Sequence, residues 1–190
     1  MKVVVGLGNP GQQYDRTRHN VGFDVMNELA RRCGESFQSS KFDAVSADVR
    51  LGDERVQLLM PLTYMNRSGR SVRRAVDFFR LDIDDLLVIC DDMNLERGRL
   101  RLRGSGSAGG QKGIADIISA LGSNEFARLR IGIDRPPGTM DPAKYVLGRF
   151  NQTEWEIIEP AVTLAADAVE TWVRDGLSAA MNRFNAAGPQ

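Results

Sequence analysis

The stretch VVVGLGNPG, residues 3–11, sets three valines directly before a turn rich in glycine and proline. A short apolar run bounded by such a turn is typical of a buried strand. Apolar residues then recur at helical spacing over Val21–Cys33, with Asn20 as a candidate N-cap and Gly34 beyond the end. The chain is therefore predicted to open with a buried strand, a polar loop and a helix.

Strand-like and helix-like segments alternate along the rest of the chain. Strands are predicted at residues 44–51, 55–60, 86–90 and 128–133, the first two as a hairpin around Gly52. Helices are predicted at residues 68–79, at 114–121 and from 153 onward. This alternation favours an α/β sandwich, and because no repeat or linker interrupts it, residues 1–190 are expected to form one domain.

The last helix carries a start signal of its own. Thr153 and Glu156 have the spacing of a capping box, which predicts that the helix begins there. Apolar residues follow at helical spacing as far as Trp172, and Pro160 is expected either to kink the helix or to lie near its first turn.

Composition limits the kinds of site and compartment that are compatible with this chain. It has 190 residues, of which 42% are hydrophobic, but no run of eighteen apolar residues that would span a membrane. The N-terminus reads as a strand rather than a signal peptide or an organelle leader, so a cytoplasmic protein is expected. A single histidine and two well-separated cysteines, Cys33 and Cys90, leave almost no material for a zinc site, and no metal is expected.

Basic residues cluster in one region although the formal net charge is zero. The alternating run from Arg97 to Arg103 predicts a strand with all four of its arginines on one face, and Arg128 and Arg130 predict a second basic strand. Two such strands would repel each other unless an anion lay across them, which favours a nucleic-acid backbone as partner. Without interleaved aromatic residues, the expected contact is with phosphate and is not sequence-specific. Ordinary solvated charge is the alternative.

Two glycine-rich segments have competing interpretations. Residues 104–110 precede a predicted helix and form either a mobile surface loop or a cradle in which backbone N–H groups bind phosphate. Residues 6–11 carry glycines that suggest dinucleotide binding, but Pro10 and the spacing do not fit that fingerprint. A dinucleotide-dependent oxidoreductase is therefore kept only as a minor hypothesis.

Unusual polar residues follow three predicted strands. Asn9 follows the first strand, Asn66 comes shortly after the second arm of the hairpin, and Asp91 ends the strand at 86–90. Reactive residues in open α/β sheets gather beyond the carboxyl ends of strands, so these positions and His19 are expected to converge on one crevice. Histidine ionises near neutral pH, and a carboxylate such as Asp91 can hold its Nδ1–H and favour its action as a base.

Structural roles are the alternative for His19 and Asp91, since a lone histidine is often structural and an aspartate is often a helix cap or half of an ion pair. A serine or cysteine nucleophile is disfavoured, because no G-x-S-x-G motif is present and Cys90 lies inside an apolar strand. Water activated by His19 is the simpler scheme.

Taken together, these segments resemble the bacterial peptidyl-tRNA hydrolase family. The resemblance covers nearly the whole chain and is specific because its motifs occur together in this order and spacing. The motifs are VGLGNPG at 5–11 with Tyr14, TRHNVG at 17–22, PLTYMNRSG at 61–69, CDD at 90–92, residues 104–113, and RLRIGI at 128–133. The resemblance implies a single-domain α/β/α sandwich with a mixed, mostly parallel central sheet. It also implies a monomer without cofactor that cleaves the ester between a peptide and the 3′ end of tRNA.

The resemblance also implies roles for individual residues. His19 corresponds to the base, Asp91 to its support, and Asn9 to the asparagine that helps to distinguish N-blocked from free aminoacyl-tRNA. Other residues correspond to the substrate contacts. Those for the 3′ end and the peptide are Tyr14, Tyr64 and Asn66, and those for the 5′ phosphate of the tRNA acceptor stem are Arg103 and Arg130.

One segment departs from the family pattern. The family commonly has Gly-Gly-His-Asn-Gly where this chain has Gly-Gly-Gln-Lys-Gly, so that Gln111 replaces a histidine and Lys112 replaces a substrate-binding asparagine. Lysine cannot accept a hydrogen bond, and Lys112 is instead a candidate for contact with a phosphate. Because some family members have lost hydrolysis and act in RNA splicing, an RNA-binding protein without catalysis is the second hypothesis.

Overall fold

One seven-stranded sheet forms the centre of the protein in a computed structural model, which describes residues 1–186. The strands are β1 Lys2–Gly6, β2 Gln38–Ser40, β3 Ala44–Leu51, β4 Glu54–Pro61, β5 Leu86–Asp92, β6 Leu100–Arg103 and β7 Ala127–Gly132. They lie in the order β2-β3-β4-β1-β5-β7-β6, and β4, β1, β5 and β7 are parallel neighbours. β3 and β6 run against them, which confirms the expected mixed sheet.

Helices cover both faces of this sheet. They are α1 Val21–Cys33, α2 Ser68–Phe79, α3 Lys112–Leu121, α4 Pro142–Val146, α5 Gln152–Asp175 and α6 Leu177–Phe184. The apolar residues of α1, α5 and α6 share one core with one face of the sheet, and those of α2 and α3 share a second core with the other. This confirms the α/β/α sandwich. No helix within residues 1–186 is long and apolar enough to cross a membrane.

The first turn of α1 rests directly on the strand backbones. A Cβ atom on Gly22 would lie 2.6 Å from the backbone nitrogen and oxygen of Leu7 and 2.7 Å from the carbonyl oxygen of Ile89. A Cβ atom on Gly6 would lie 2.5 Å from the carbonyl oxygen of Gly22. Because no side chain separates helix and sheet here, the residues before α1 lie against the carboxyl ends of β1 and β5.

The start of α5 differs from the prediction. The capping box is formed by Asn151 and Glu154, whose side chains each accept the other's backbone N–H at 2.9 Å, and not by Thr153 and Glu156. Asparagine accepts a helix N–H as well as threonine does, and Glu154 is further held by a buried pair with Arg18 at 2.7 Å. Pro160 lies inside α5 rather than at its first turn.

Candidate active site

A cavity of about 480 Å³ opens where β1 and β5 end. Its wall also includes residues of α4 and the beginning of α3. Most of the predicted site residues line it, namely Asn9, His19, Tyr64, Asn66, Asp91, Lys112 and Arg130. Tyr14 and Arg103 are not among the lining residues. The predicted crevice therefore exists, at the sheet edge where the topology places it.

His19 and Asp91 are in direct contact at this cavity. The Nδ1 atom of His19 lies 2.9 and 3.0 Å from the two carboxylate oxygens of Asp91. Asp91 is only 3% exposed, and the His19 side chain is nearly buried as well. An ionised carboxylate can only accept hydrogen bonds, so Nδ1 is assigned as the donor to it, and Nε2 is the ring nitrogen that this contact leaves free. This is the arrangement of a base with an orienting carboxylate.

Asn9 is held by two other elements of the site. The side chain of Asn20 accepts the backbone N–H of Asn9 at 2.8 Å and donates to its carbonyl at 2.9 Å. Asn20 thus occupies the predicted N-cap position of α1, but its side chain does not cap the helix. The Oδ1 atom of Asn9 accepts the backbone N–H of Met65 at 2.8 Å. The Nδ2 group of Asn9 therefore remains to serve a ligand in the cavity.

Tyr64 and Asn66 form an exposed rim after β4. Tyr64 has a φ of 60°, in the left-handed region that few residues other than glycine adopt, and 52% of it is exposed. A short 3₁₀ turn, Met65–Arg67, follows it and is tied to Asn9 through the N–H of Met65. Strained backbone of this kind persists where the surroundings enforce it, often at a functional site. The exposed ring and the exposed Asn66 amide are available to a ligand.

Comparisons with known proteins agree with this geometry. A model of the family described as peptidyl-tRNA hydrolase matches residues 3–190. The chain belongs to the peptidyl-tRNA hydrolase family. A peptidyl-tRNA hydrolase of Rhodopirellula baltica is 56% identical over 98% of both chains, and one of Syntrophomonas wolfei is 46% identical over 97% of this chain and all of its own. The crystal structure of peptidyl-tRNA hydrolase from Acinetobacter baumannii has a TM-score of 0.94 at 36% identity, and covers 100% of this chain and 97% of its own.

Gln111 and Lys112, where this chain departs from the common family pattern, occupy different environments. Gln111 is buried and caps α3, since its Oε1 atom accepts the N–H of Ile114 at 2.9 Å, while its Nε2 atom lies 3.1 Å from Oδ1 of Asp91. Lys112 is exposed at the first position of α3 and lines the cavity. Sequence reasoning missed the contact of Gln111 with Asp91; a polar residue directly before a helix was the one available signal.

Two arginines form hydrogen bonds to the glycine-rich segment at 104–110. Arg128 is fully buried and donates to the carbonyl oxygens of Gly106 at 2.8 Å and Asn124 at 2.6 Å. Arg130 donates to the carbonyl of Ser107 at 2.7 Å and pairs with Asp92 at 3.1 Å. Carbonyl groups of this loop thus face guanidinium groups, and the choice between a mobile loop and a phosphate cradle stays a prediction. Burial lowers the pKa of Arg128.

The predicted basic strand at 97–103 is shorter than expected. β6 begins at Leu100, and Arg97 lies before it in ion pairs with Asp134 at 3.2 Å and Glu154 at 3.0 Å. The expectation that all four arginines share one face was wrong, because carboxylates on neighbouring elements draw Arg97 away.

Arg103 and Tyr14 remain to be placed. Arg103 is exposed on β6 and lies opposite Arg128 in the antiparallel register. Arg130 lies two residues after Arg128 on β7, so Arg103 and Arg130 are on the same face of the sheet. Its guanidinium donates to the carbonyl of Leu102 at 3.1 Å. Tyr14 lies half-buried in a short 3₁₀ turn, Gln12–Tyr14, on the loop that leads to His19.

The part of the chain that the structure describes offers little support for a metal site or a cysteine nucleophile. Within it, no group of three or more histidine, cysteine, aspartate or glutamate side chains is arranged to hold a metal ion. Cys90 is fully buried in β5, and this burial raises the pKa of its thiol, which disfavours a thiolate nucleophile.

Proposed function

We propose that this protein hydrolyses the ester that joins a peptide, or an N-blocked amino acid, to the 3′ end of tRNA, with His19 as the base. The observation that carries the proposal is the His19–Asp91 pair in the wall of a cavity, in a chain that matches the peptidyl-tRNA hydrolase family over residues 3–190. Hydrolysis of this ester would release tRNA from aborted translation.

The chemistry requires one water molecule and one proton shuttle. The Nε2 atom of His19 takes a proton from water as the water oxygen bonds to the ester carbonyl carbon, and Asp91 stabilises the imidazolium that forms. The bond from that carbon to the ribose oxygen then breaks, and the proton passes to this leaving oxygen. We assign to Asn66, which is exposed at the rim, the task of polarising the carbonyl or holding the developing oxyanion, a contribution of about 3 kcal/mol in other hydrolases.

Selection of N-blocked substrates is assigned to Asn9. Because Oδ1 already accepts the N–H of Met65, the Nδ2 group offers only N–H donors to the cavity. These donors suit the carbonyl oxygen of an acylated α-nitrogen. A free aminoacyl ester has a charged ammonium in its place and leaves the donors unpaired, which is the condition under which polar sites discriminate strongly.

Contacts with tRNA are assigned to residues at and beyond the rim of the cavity. Arg103 and Arg130 would hold the 5′ phosphate of the acceptor stem. Tyr64 presents an exposed ring on which a base of the 3′ end can stack. Tyr14 is given a role at the 3′ end on family likeness, and Lys112 can donate to a phosphate or carbonyl oxygen but cannot accept.

The setting of this activity follows from the substrate. Peptidyl-tRNA is a product of translation, so we assign the protein to the cytoplasm, and we expect it to act as a monomer. An RNA-binding homologue without catalysis is not favoured, since the His19–Asp91 pair is intact. Nothing in the family match supports a dinucleotide-dependent oxidoreductase.

Release of N-acetylated amino acid from its tRNA by the purified protein tests this proposal. The His19→Ala protein, prepared in parallel, controls for contaminating hydrolases. Turnover by the wild type that the variant lacks supports the assignment. Equal release by both proteins, or none by either, contradicts it.

A further inference from the structure

The direction in which the Gln111 amide points is determined by the helix that it caps. Its Oε1 atom accepts the N–H of Ile114, one of the first helix N–H groups, which have no acceptor within α3 itself. The opposite amide orientation would set an NH₂ group against that N–H. The Nε2 group is therefore directed at Asp91, with its nitrogen 3.1 Å from the Oδ1 atom.

Within residues 1–186, the carboxylate of Asp91 receives two side-chain donors. His19 donates from Nδ1 at 2.9 Å, and Gln111 donates from Nε2 at 3.1 Å, and both contact the same oxygen, Oδ1. A buried carboxylate depends on such donors, because burial has removed the water that would otherwise solvate it. Gln111 therefore supplies a large part of the polar environment of Asp91.

Tight packing leaves Gln111 little freedom to move. It is 7% exposed, and its Nε2 atom also lies 3.1 Å from the sulfur of Met65. The first turn of α3 packs closely against the same methionine, because a Cβ atom on Gly113 would lie 2.6 Å from that sulfur and 3.0 Å from Oε1 of Gln111. The donor that meets Asp91 is thus fixed by both the cap and the core.

We propose that Gln111 is a positioning residue for hydrolysis, an inference that rests on the proposed function. It holds the Asp91 carboxylate against Nδ1–H of His19 and moderates the pull of that carboxylate on the imidazolium. The amide does not titrate, so it performs this task without adding a second ionisation to the site.

Two substitutions separate the hydrogen bond to Asp91 from the other tasks of Gln111. Gln111→Ser keeps a hydroxyl that caps the N–H of Ile114 but is too short to reach Asp91. Gln111→Met keeps the volume and excludes water but has no donor. We expect each to lower kcat about tenfold or more with KM within about twofold. The acid limb of the pH profile of kcat/KM should move to higher pH, because a carboxylate with fewer donors attracts the imidazolium more strongly.

A double-mutant cycle with Asp91→Asn shows whether Gln111 acts through Asp91. If it does, Gln111→Ser should have almost no further effect in the Asp91→Asn background. Additive losses in that background overturn the inference, as do wild-type kcat and an unmoved acid limb in both single variants. The thermal midpoint of each variant identifies a loss caused by unfolding. A wild type that releases no N-acetylated amino acid would instead overturn the proposed function.

Discussion

Asn20 binds Asn9 through both of the latter's backbone groups, at 2.8 and 2.9 Å. Because these bonds use the backbone, a substitution at residue 9 leaves them in place. The loop after β1 therefore stays attached to the turn that carries His19, whatever side chain stands at residue 9. This makes the Asn9 side chain testable without moving the base.

Substitution of Asn9 should weaken selectivity for N-blocked substrates. Asn9→Asp keeps the acceptor for the N–H of Met65 and removes the Nδ2 donors, whereas Asn9→Ala removes both. We expect both variants to narrow the gap in kcat/KM between N-acetyl-aminoacyl-tRNA and aminoacyl-tRNA. If Asn9→Asp retains the wild-type ratio, Asn9 does not set the specificity, although the hydrolase assignment would stand.

Asn66 should fail in a different way. Its amide is assigned to the ester carbonyl, which every substrate has, so Asn66→Ala should lower kcat/KM for N-blocked and free substrates by a similar factor, about a hundredfold. The ratio of kcat/KM for N-acetyl-aminoacyl-tRNA to that for aminoacyl-tRNA should therefore stay at its wild-type value in Asn66→Ala, in contrast to the Asn9 variants. If that ratio changes while kcat/KM for the N-blocked substrate falls little, Asn66 contributes to substrate selection and not to the hydrolytic step.

Removal of the His19 imidazole should nearly abolish turnover. We expect His19→Ala to lower kcat by at least about a hundredfold, because the chain has no second histidine that could take its place as the base. Circular dichroism and the thermal midpoint provide the control for folding. Near-normal turnover in a folded variant would rule out water activation by His19.

The two arginines assigned to phosphate should affect binding more than chemistry. Arg103→Ala and Arg130→Ala should raise KM more than they lower kcat, and tRNA affinity should fall steeply with salt. Arg103→Ala is the cleaner test, because Arg130 also holds Asp92 and the carbonyl of Ser107. Arg55→Ala, an equal charge change on an exposed residue of β4, is the matched control. Affinity independent of salt would show an ordinary solvated surface.

A short substrate without the tRNA body should scarcely distinguish these variants from the wild type. It has no acceptor-stem phosphate to reach Arg103 or Arg130, so the loss measured with full tRNA should largely disappear. A loss of the same size with the short ester would place the defect in the cavity instead.

Asp24 should make stability depend on pH. Burial raises its pKa to about 7, against the lowering influence of Arg16, and its Oδ2 atom has no hydrogen-bond partner within the described residues. Because the unfolded chain releases this proton near pH 4, the folded state loses stability as pH rises from about 4 to about 7. Asp24→Asn should therefore stabilise the protein at pH 8 by up to about 4 kcal/mol, and by little near pH 4.

Urea unfolding at several pH values measures this difference. Asp53→Asn removes a charge from an exposed carboxylate in the turn between β3 and β4 and is the control, with little effect expected at any pH. A stability gain in Asp24→Asn that is the same at pH 4 and pH 8 would show that the carboxyl is not protonated in the folded protein near neutrality.

Regular elements with strong periodicity were predictable from the sequence, and short ones were not. The helix at 68–79 and the strand at 44–51 have the predicted bounds. α4, Pro142–Val146, was not among the predicted helices, because five residues are too few to show a helical period. This matters for the site, since α4 forms part of the cavity wall.

The partners of polar side chains were the least predictable feature. Alternation placed Arg128 on a basic face, but its side chain is buried and donates to the carbonyl oxygens of Gly106, in a distant loop, and of Asn124, just before β7. Such acceptors carry no side-chain signature. Gln111 was noted only as a departure from a family pattern for the same reason, since its contact with Asp91 joins residues twenty positions apart.

The close approach of α1 to the sheet also limits how this site can vary. His19 stands three residues before Gly22, where even one methyl group would come within 2.6 Å of the Leu7 backbone and lift the helix from the strands. Catalytic geometry tolerates displacements of only about 0.5 Å, so a lifted helix would carry the imidazole away from Asp91. The alignment of base and carboxylate therefore depends on a position outside the cavity that has no side chain at all.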